Sequence, residues 1–226
     1  MNLDFAEFLK HVNPEDYDHY QRGKSPEHND KLVICGPLSP EVETLYNIAK
    51  NNCPEKSNIL EIGNWLGLST ITFALALKEK YHFQSFVHPK IYTIDPHDKQ
   101  HSIISDGLEN WFKDCPFDIS KKFQENIKKW EVEDYIEYHR CFSDEFDKEI
   151  KNIGLLFIDG DHRSEQVKKD LNKFVPMLMK EGILVMHDRN LVIELFNEYN
   201  RENENLLSVA DDEINHLERL IIARKI

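Results

Sequence analysis

The chain has 226 residues, enough for one α/β domain with a substantial core. Its formal net charge of −13 lacks the basic surface that nucleic-acid phosphates or an anionic membrane would require, so neither is expected as a partner. Acids at Asp4 and Glu7 stand where a secretory leader needs a basic start and an apolar run, and no later stretch could span a bilayer, so a cytoplasmic protein is expected. Cys35, Cys53, Cys115 and Cys141 have neither the spacing of a zinc ribbon nor that of a disulfide framework.

In chain order, residues 1–39 are polar and aromatic without strand character and read as a segment covering the substrate, ahead of a domain over 40–226. Ser39 is a candidate N-cap, with Pro40 in the first turn of a helix over 40–51. Asn58–Ile62 is a short apolar strand that runs into Gly63 and Gly67, and a helix follows from Ser69 to Lys80. Lys90–Asp95 is the next strand, closed by Pro96. The irregular stretch Pro96–Pro116 is a candidate substrate wall, with His97, Asp98 and His101 read as solvated loop residues.

Further elements are a helix over 119–130, strands over 135–139 and 153–158, and a helix over 163–178. Glu181-Gly182 supplies a turn before a strand at 183–186, a helix covers 190–200, and Leu206–Val209 with Leu217–Ala223 forms a closing hairpin. Strands alternating with helices predict an α/β fold: a Rossmann-like, doubly wound, mostly parallel sheet with helices on both faces and a C-terminal β-hairpin.

The turn Glu61-Ile-Gly63-Asn-Trp65-Leu-Gly67-Leu-Ser69-Thr70 is spaced more widely than a dinucleotide loop. An acid at Glu61 would repel a diphosphate but suits a ligand carrying an ammonium and a sulfonium, which points to S-adenosylmethionine (SAM). Gly63 and Gly67 would let the backbone approach that ligand. Ser69 and Thr70, with the first helical amides, are placed for a carboxylate, and Asp95 for both ribose hydroxyls. Trp65 is a candidate to flank the sulfonium.

With these residues the chain resembles the class I SAM-dependent methyltransferases, and within them the catechol and caffeoyl-CoA O-methyltransferases and bacterial relatives that act on sugars or antibiotics. The similarity runs over residues 40–200 and includes the aromatic at Trp65. Lys122–Ile127 and Arg140–Ser143 are similar to the segments that precede and contact adenine, which implies Ser143 at the adenine edge.

A second constellation lies beyond two later strands. Asp159 follows the apolar run 153–158, and His187-Asp188 follows 183–186, so all three side chains are expected at the sheet edge where α/β folds bind ligands. The resemblance implies Asp159, His187 and Asp188 as ligands of a divalent metal, with histidine where the pattern usually has an acid. Oxygen ligands suit Mg²⁺, and an imidazole shifts the preference toward Mn²⁺, Fe²⁺ or Zn²⁺. His162 stands where the catechol-type enzymes carry a general-base lysine, and histidine accepts protons near neutral pH. The alternative role for Asp161 and His162 is to cap the following helix.

The expected activity is methyl transfer to a hydroxyl of a small molecule, with Asp159 shared between cofactor and reaction sites, and a homodimer left open. The competing readings are a metal-independent methyltransferase, a non-catalytic SAM or nucleoside module, and a metal-dependent hydroxylase or hydrolase.

Overall fold

The computed structural model describes residues 4–12, 41–81, 88–97, 118–209 and 219–226. Its strands are β1 (Asn58–Ile62), β2 (Ile91–Ile94), β3 (Ile136–His139), β4 (Ile153–Ile158), β5 (Leu178–Met186), β6 (Leu207–Val209) and β7 (Ile221–Lys225). They form one sheet in the order β3-β2-β1-β4-β5-β7-β6. The first five pair in parallel, and β7 lies antiparallel between β5 and β6. β4 is buried at every position, as a central parallel strand covered on both faces must be. The strand order reverses between β1 and β4, so the crevice beyond their carboxyl ends is where a ligand is expected.

The helices are α1 (Phe5–Leu9), α2 (Val42–Asn47), α3 (Leu68–Tyr81), α4 (Ile119–Lys129), α5 (Ser164–Phe174) and α6 (Arg189–Glu202). They divide between two cores. Residues of α1 to α4 pack on one sheet face with Ile59 and Phe157, while those of α5 and α6 pack on the other with Leu60 and Ile158. α4 and α5 each present one apolar stripe, Ile119-Phe123-Ile127 and Val167-Leu171-Phe174. α3 is buried on all sides from Leu68 to Leu77, so its glycine-turn end is anchored by the core. Each such leucine or phenylalanine contributes about 1.5–3 kcal/mol.

The sequence reading needs three adjustments. The helix expected over 163–178 stops at Phe174, because Pro176 cannot donate a helical hydrogen bond and forms the 3-10 turn Val175–Met177. The Glu181-Gly182 turn is instead a bulge inside β5, where the register against β4 shifts and Glu181 takes φ +63°. The helix over 40–51 is α2 followed by a π-helical turn at Ile48–Asn52; Ser39 and Pro40 lie outside the described residues.

Of the segment 1–39, residues 4–12 are described. Phe8 is fully buried edge-on against Trp130, and Phe5 stacks on Tyr46. Tyr46 in turn donates to Glu79, about 16 Å along α3 from the glycine turn. The contacts of α1 are thus with the end of the core remote from that turn. Cys35, Asp98, His101 and Cys115 lie outside the described residues.

Candidate cofactor and reaction site

The site is built from the turn between β1 and α3. Gly63 has φ +86°, and a Cβ there would sit 2.2 Å from the Asp159 carbonyl oxygen. Gly63 N–H donates to Ile94 (2.9 Å) and Asp159 N–H donates to Ile62 (2.8 Å), so the ends of β1, β2 and β4 are tied together. The first glycine therefore serves a close backbone approach that brings the two expected sites into contact. Gly67, at φ +94°, admits the Phe123 ring, 3.1 Å from where its Cβ would be, and Asn126 Nδ2 donates to Leu66 O (2.8 Å).

Asp95 ends β2 and grips this turn. Its Oδ2 accepts from the amides of Asn64 (2.9 Å) and Trp65 (3.0 Å), and its Oδ1 from the amide of His97 (2.8 Å). A carboxylate offers about four lone-pair positions, so roughly one remains. In this arrangement Asp95 has room for one ribose hydroxyl rather than the expected two.

Glu61 has no exposed surface and accepts hydrogen bonds from Ser69 Oγ and from Thr70 Oγ1 (2.6 Å). Burial pushes its pKa up to about 7, against the pull of those hydroxyls. In this arrangement the Glu61 carboxylate, expected beside a ligand ammonium, and the Ser69 and Thr70 hydroxyls, expected to meet a carboxylate, bond one another. The three residues staple the start of α3 to β1.

Ser143 is also engaged elsewhere. Its hydroxyl donates to Asp170 (2.6 Å) and accepts from Gln166 (2.9 Å), both on α5, and Lys173 Nζ donates to its carbonyl (2.8 Å). Asp170 is buried, which raises its pKa to about 6. The Ser143 hydroxyl thus fastens the loop after β3 to α5.

At the ends of β4 and β5, two carboxylates face two imidazoles. His162 Nε2 lies 3.5 Å from Asp188 Oδ2 and 4.0 Å from Asp159 Oδ1, and His187 Nδ1 lies 3.1 Å from Asp159 Oδ1 and 3.3 Å from Asp188 Oδ1. None of these contacts is aligned as a hydrogen bond, so His162 Nε2 and both His187 nitrogens are buried without such a partner. The side chains of Asp159, His162 and Asp188 retain 14–20% exposure, and one ligand atom from each fits within 4.8 Å of the others.

His187 is fully enclosed. Burial opposes its charge, yet the two aspartates outweigh this and push its pKa up to about 10. Asp188 is held well below the usual carboxylate range: burial acts against this, but the neighbouring His187 imidazole and the Arg219 guanidinium that donates to it prevail. Of the ligands expected from sequence, Asp159 and Asp188 keep some exposure while His187 is enclosed beside them; His162, expected as the base, completes a cluster with the two aspartates. Capping does not account for His162, because the N-cap of α5 is Arg163, which makes no side-chain cap bond, and Asp161 bonds Arg163.

Asp188 is left-handed at φ +51° and does not cap α6 with its carboxylate. Its Oδ1 accepts from Arg219 Nη2 (2.9 Å), and Arg219 Nε lies 4.0 Å from Glu41. Glu41 is 2% exposed, its Oε2 lacks a hydrogen-bond partner, and burial raises its pKa. Sequence reasoning missed both residues. They are 178 positions apart and carry no local motif, and only the pairing of β7 with β5 brings Arg219 to the site.

A family model described as a methyltransferase domain matches residues 60–189. No curated protein matches. Among solved structures, the O-methyltransferase NovP is similar over 82% of this chain and 79% of its own, with 13% identity and a TM-score of 0.62. An O-methyltransferase from Bacillus cereus in complex with S-adenosylhomocysteine (SAH) is similar over 97% and 91%, with 14% identity and a TM-score of 0.56. An rRNA methylase from Streptococcus thermophilus is similar over 86% and 99%, with 13% identity and a TM-score of 0.53. Enzymes with different acceptors share this fold, so the acceptor has to be argued from the site. The family match over more than half of the chain, on a 3-2-1-4-5-7-6 sheet with its glycine turn at the switch point, makes this protein a class I SAM-dependent methyltransferase.

Proposed function

We propose that the protein transfers the methyl group of SAM to a hydroxyl oxygen of a small molecule. One observation carries this reading: the glycine turn and the Asp159-His162-Asp188 cluster share a backbone contact at Gly63, so methyl donor and proton acceptor belong to one site. Transfer needs an in-line nucleophile and a destination for its proton. His162 Nε2 makes no hydrogen bond and lies 3.5 Å from an Asp188 oxygen and 4.0 Å from an Asp159 oxygen, so it is the candidate proton acceptor. The hydroxyl proton passes to Nε2, the oxygen bonds to the methyl carbon, and the C–S electron pair returns to sulfur, giving SAH. The net charge of −13 supports a small acceptor over RNA.

A second reading has its own support. Two carboxylates and an unpaired imidazole nitrogen fit a divalent cation, and the nitrogen favours Mn²⁺, Fe²⁺ or Zn²⁺ over Mg²⁺. Asp159, His162 and Asp188 would hold it, and when bound it would lower the pKa of the acceptor hydroxyl. His162 would then be a ligand and not the base.

Both readings are tested by following labelled methyl from SAM into a panel of hydroxylated acceptors. His162→Ala should lower kcat by about 10²–10⁴-fold with SAH affinity unchanged. Undiminished turnover in that variant would overturn both readings.

A further inference from the structure

Two non-glycine residues at the turn between β1 and α3 are in the left-handed region, Trp65 within it and His97, beyond β2, reaching back to it. Trp65 has φ +46° and His97 has φ +45°. Strained backbone of this kind persists only where its surroundings over-determine it. For Trp65 those surroundings can be named at both ends of the residue. Its N–H is taken by Asp95 Oδ2, and its carbonyl lies 2.8 Å from Nε2 of His97.

The protonation of the His97 ring follows from its partners. Nε2 faces two oxygens, Trp65 O and Asn64 Oδ1, each at 2.8 Å. The Asn64 amide is oriented by its Nδ2, which donates to Thr93 Oγ1 (2.9 Å), and a carbonyl can only accept. Nε2 therefore carries the proton and donates to both. Nδ1 is the bare nitrogen and accepts from the Tyr138 hydroxyl (2.6 Å). The ring is fully buried and packs near Phe123 and Tyr138, with centroids 5.6 and 5.2 Å away. Burial lowers its pKa, in keeping with the neutral form.

We propose that His97 is a positioning residue for the cofactor: its ring, seated on Tyr138, holds the Asn64 side chain and the Trp65 carbonyl and so keeps the turn in the conformation that SAM has to meet. This rests on the reading of the glycine turn as the SAM site. It assigns a task to a residue that by sequence belongs to a solvated loop. Without the imidazole, the Trp65 carbonyl loses this hydrogen bond and the turn can relax out of the left-handed region. SAM must then bind a conformer that is only fractionally populated, which weakens affinity in proportion to that fraction. Once the cofactor is bound the turn is restored, so the chemical step is unaffected. A histidine that merely filled the core would lower the melting temperature and leave the KM for SAM in place.

The test is calorimetric titration of SAH into the wild type, His97→Ala, His97→Gln and Tyr138→Phe, below their melting temperatures, with steady-state kinetics alongside. If the clasped turn falls to about one-tenth of the population, His97→Ala binds SAH about tenfold more weakly. Glutamine can present an amide N–H to the same oxygens, so His97→Gln should recover to within roughly threefold of wild type. Tyr138→Phe leaves Nδ1 without its donor and should lose about two- to fivefold. The KM for SAM should follow these shifts, with kcat and the acceptor KM unmoved.

Wild-type SAH affinity in His97→Ala would overturn the proposal, as would a glutamine variant no tighter than alanine, or a loss confined to kcat. If His97→Ala does not fold, His97→Gln and Tyr138→Phe decide by whether the KM for SAM rises with kcat held. Absence of SAH binding by the wild type would instead remove the cofactor reading, and this proposal with it.

Discussion

Gly63→Ala tests the junction on which the site depends. The added Cβ would lie 2.2 Å from Asp159 O, 2.7 Å from Asp159 C and 2.9 Å from the Gly160 Cα, where real Cβ atoms essentially never come closer than 3.0 Å. All three neighbours are backbone, so relief requires β1 and β4 to separate at their ends. The left-handed φ of +86° adds about 1–2 kcal/mol for an L side chain, and overpacking about 1–3 kcal/mol. The sum, roughly 2–5 kcal/mol, is a large share of a stability of about 5–15 kcal/mol. For a chain of this size it should lower the melting temperature by about 5–15 °C.

Activity should fall further than stability, because a shift of ~1 Å between donor and base can cost about 10²-fold in rate. Gly160→Ala is the control. Its Cβ would meet Ile62 Cγ2 at 3.4 Å, an ordinary contact, and the change should stay within about 1 kcal/mol. The assay is thermal unfolding plus methyl transfer at saturating substrates for both variants. A Gly63→Ala protein that melts and turns over like Gly160→Ala would refute the argument that this glycine joins the two sites.

Glu61 makes a prediction about pH. Its folded pKa of about 7 lies above the ordinary 4.5, so its contribution to stability is complete below about pH 4.5 and is lost as pH rises through 7. Each tenfold change in proton affinity between the folded and unfolded chain is worth about 1.4 kcal/mol, so the contribution amounts to a few kcal/mol. Glu61→Gln keeps the shape and removes the titration, so the difference in melting temperature between variant and wild type should move in the variant's favour from pH 5 to pH 8. A constant difference would mean that Glu61 is not the source. For the cation reading, Mn²⁺ at 100 times its dissociation constant should stabilise the wild type by about 2.7 kcal/mol. Asp159→Asn and Asp188→Asn should lose that response, and equal melting with Mn²⁺ and with EDTA would leave His162 as the base without a metal.

Strand and helix order were legible in the sequence because β1 and β4 are short apolar runs closed by glycine or acid, and α4 and α5 carry one apolar stripe each. The errors near 175–182 came from reading Gly182 as a turn, when a bulge opposite Ile153 and Leu155 absorbs it. At the site, the positions of Asp159, His162, His187 and Asp188 followed from strand ends, but their division of labour did not. That His187 is enclosed and His162 accessible depends on how β5 and α5 pack. Glu61, Ser69 and Ser143 are polar residues at a glycine turn or near a strand end, and such residues have two uses. They can face a ligand or they can hold the turn, and periodicity does not distinguish the two. His97 shows the converse, since its burial is set by Tyr138 and Asn64, remote in sequence or across the turn.

The most direct test of the account is to locate the transferred methyl group. With ¹³C-methyl SAM, a hydroxylated acceptor and the wild-type enzyme, carbon NMR of the product should show an O-methyl resonance, and His162→Ala should form it at least about 10²-fold more slowly. A methyl group found on nitrogen or carbon, or an O-methyl product formed equally fast without the His162 imidazole, would contradict it.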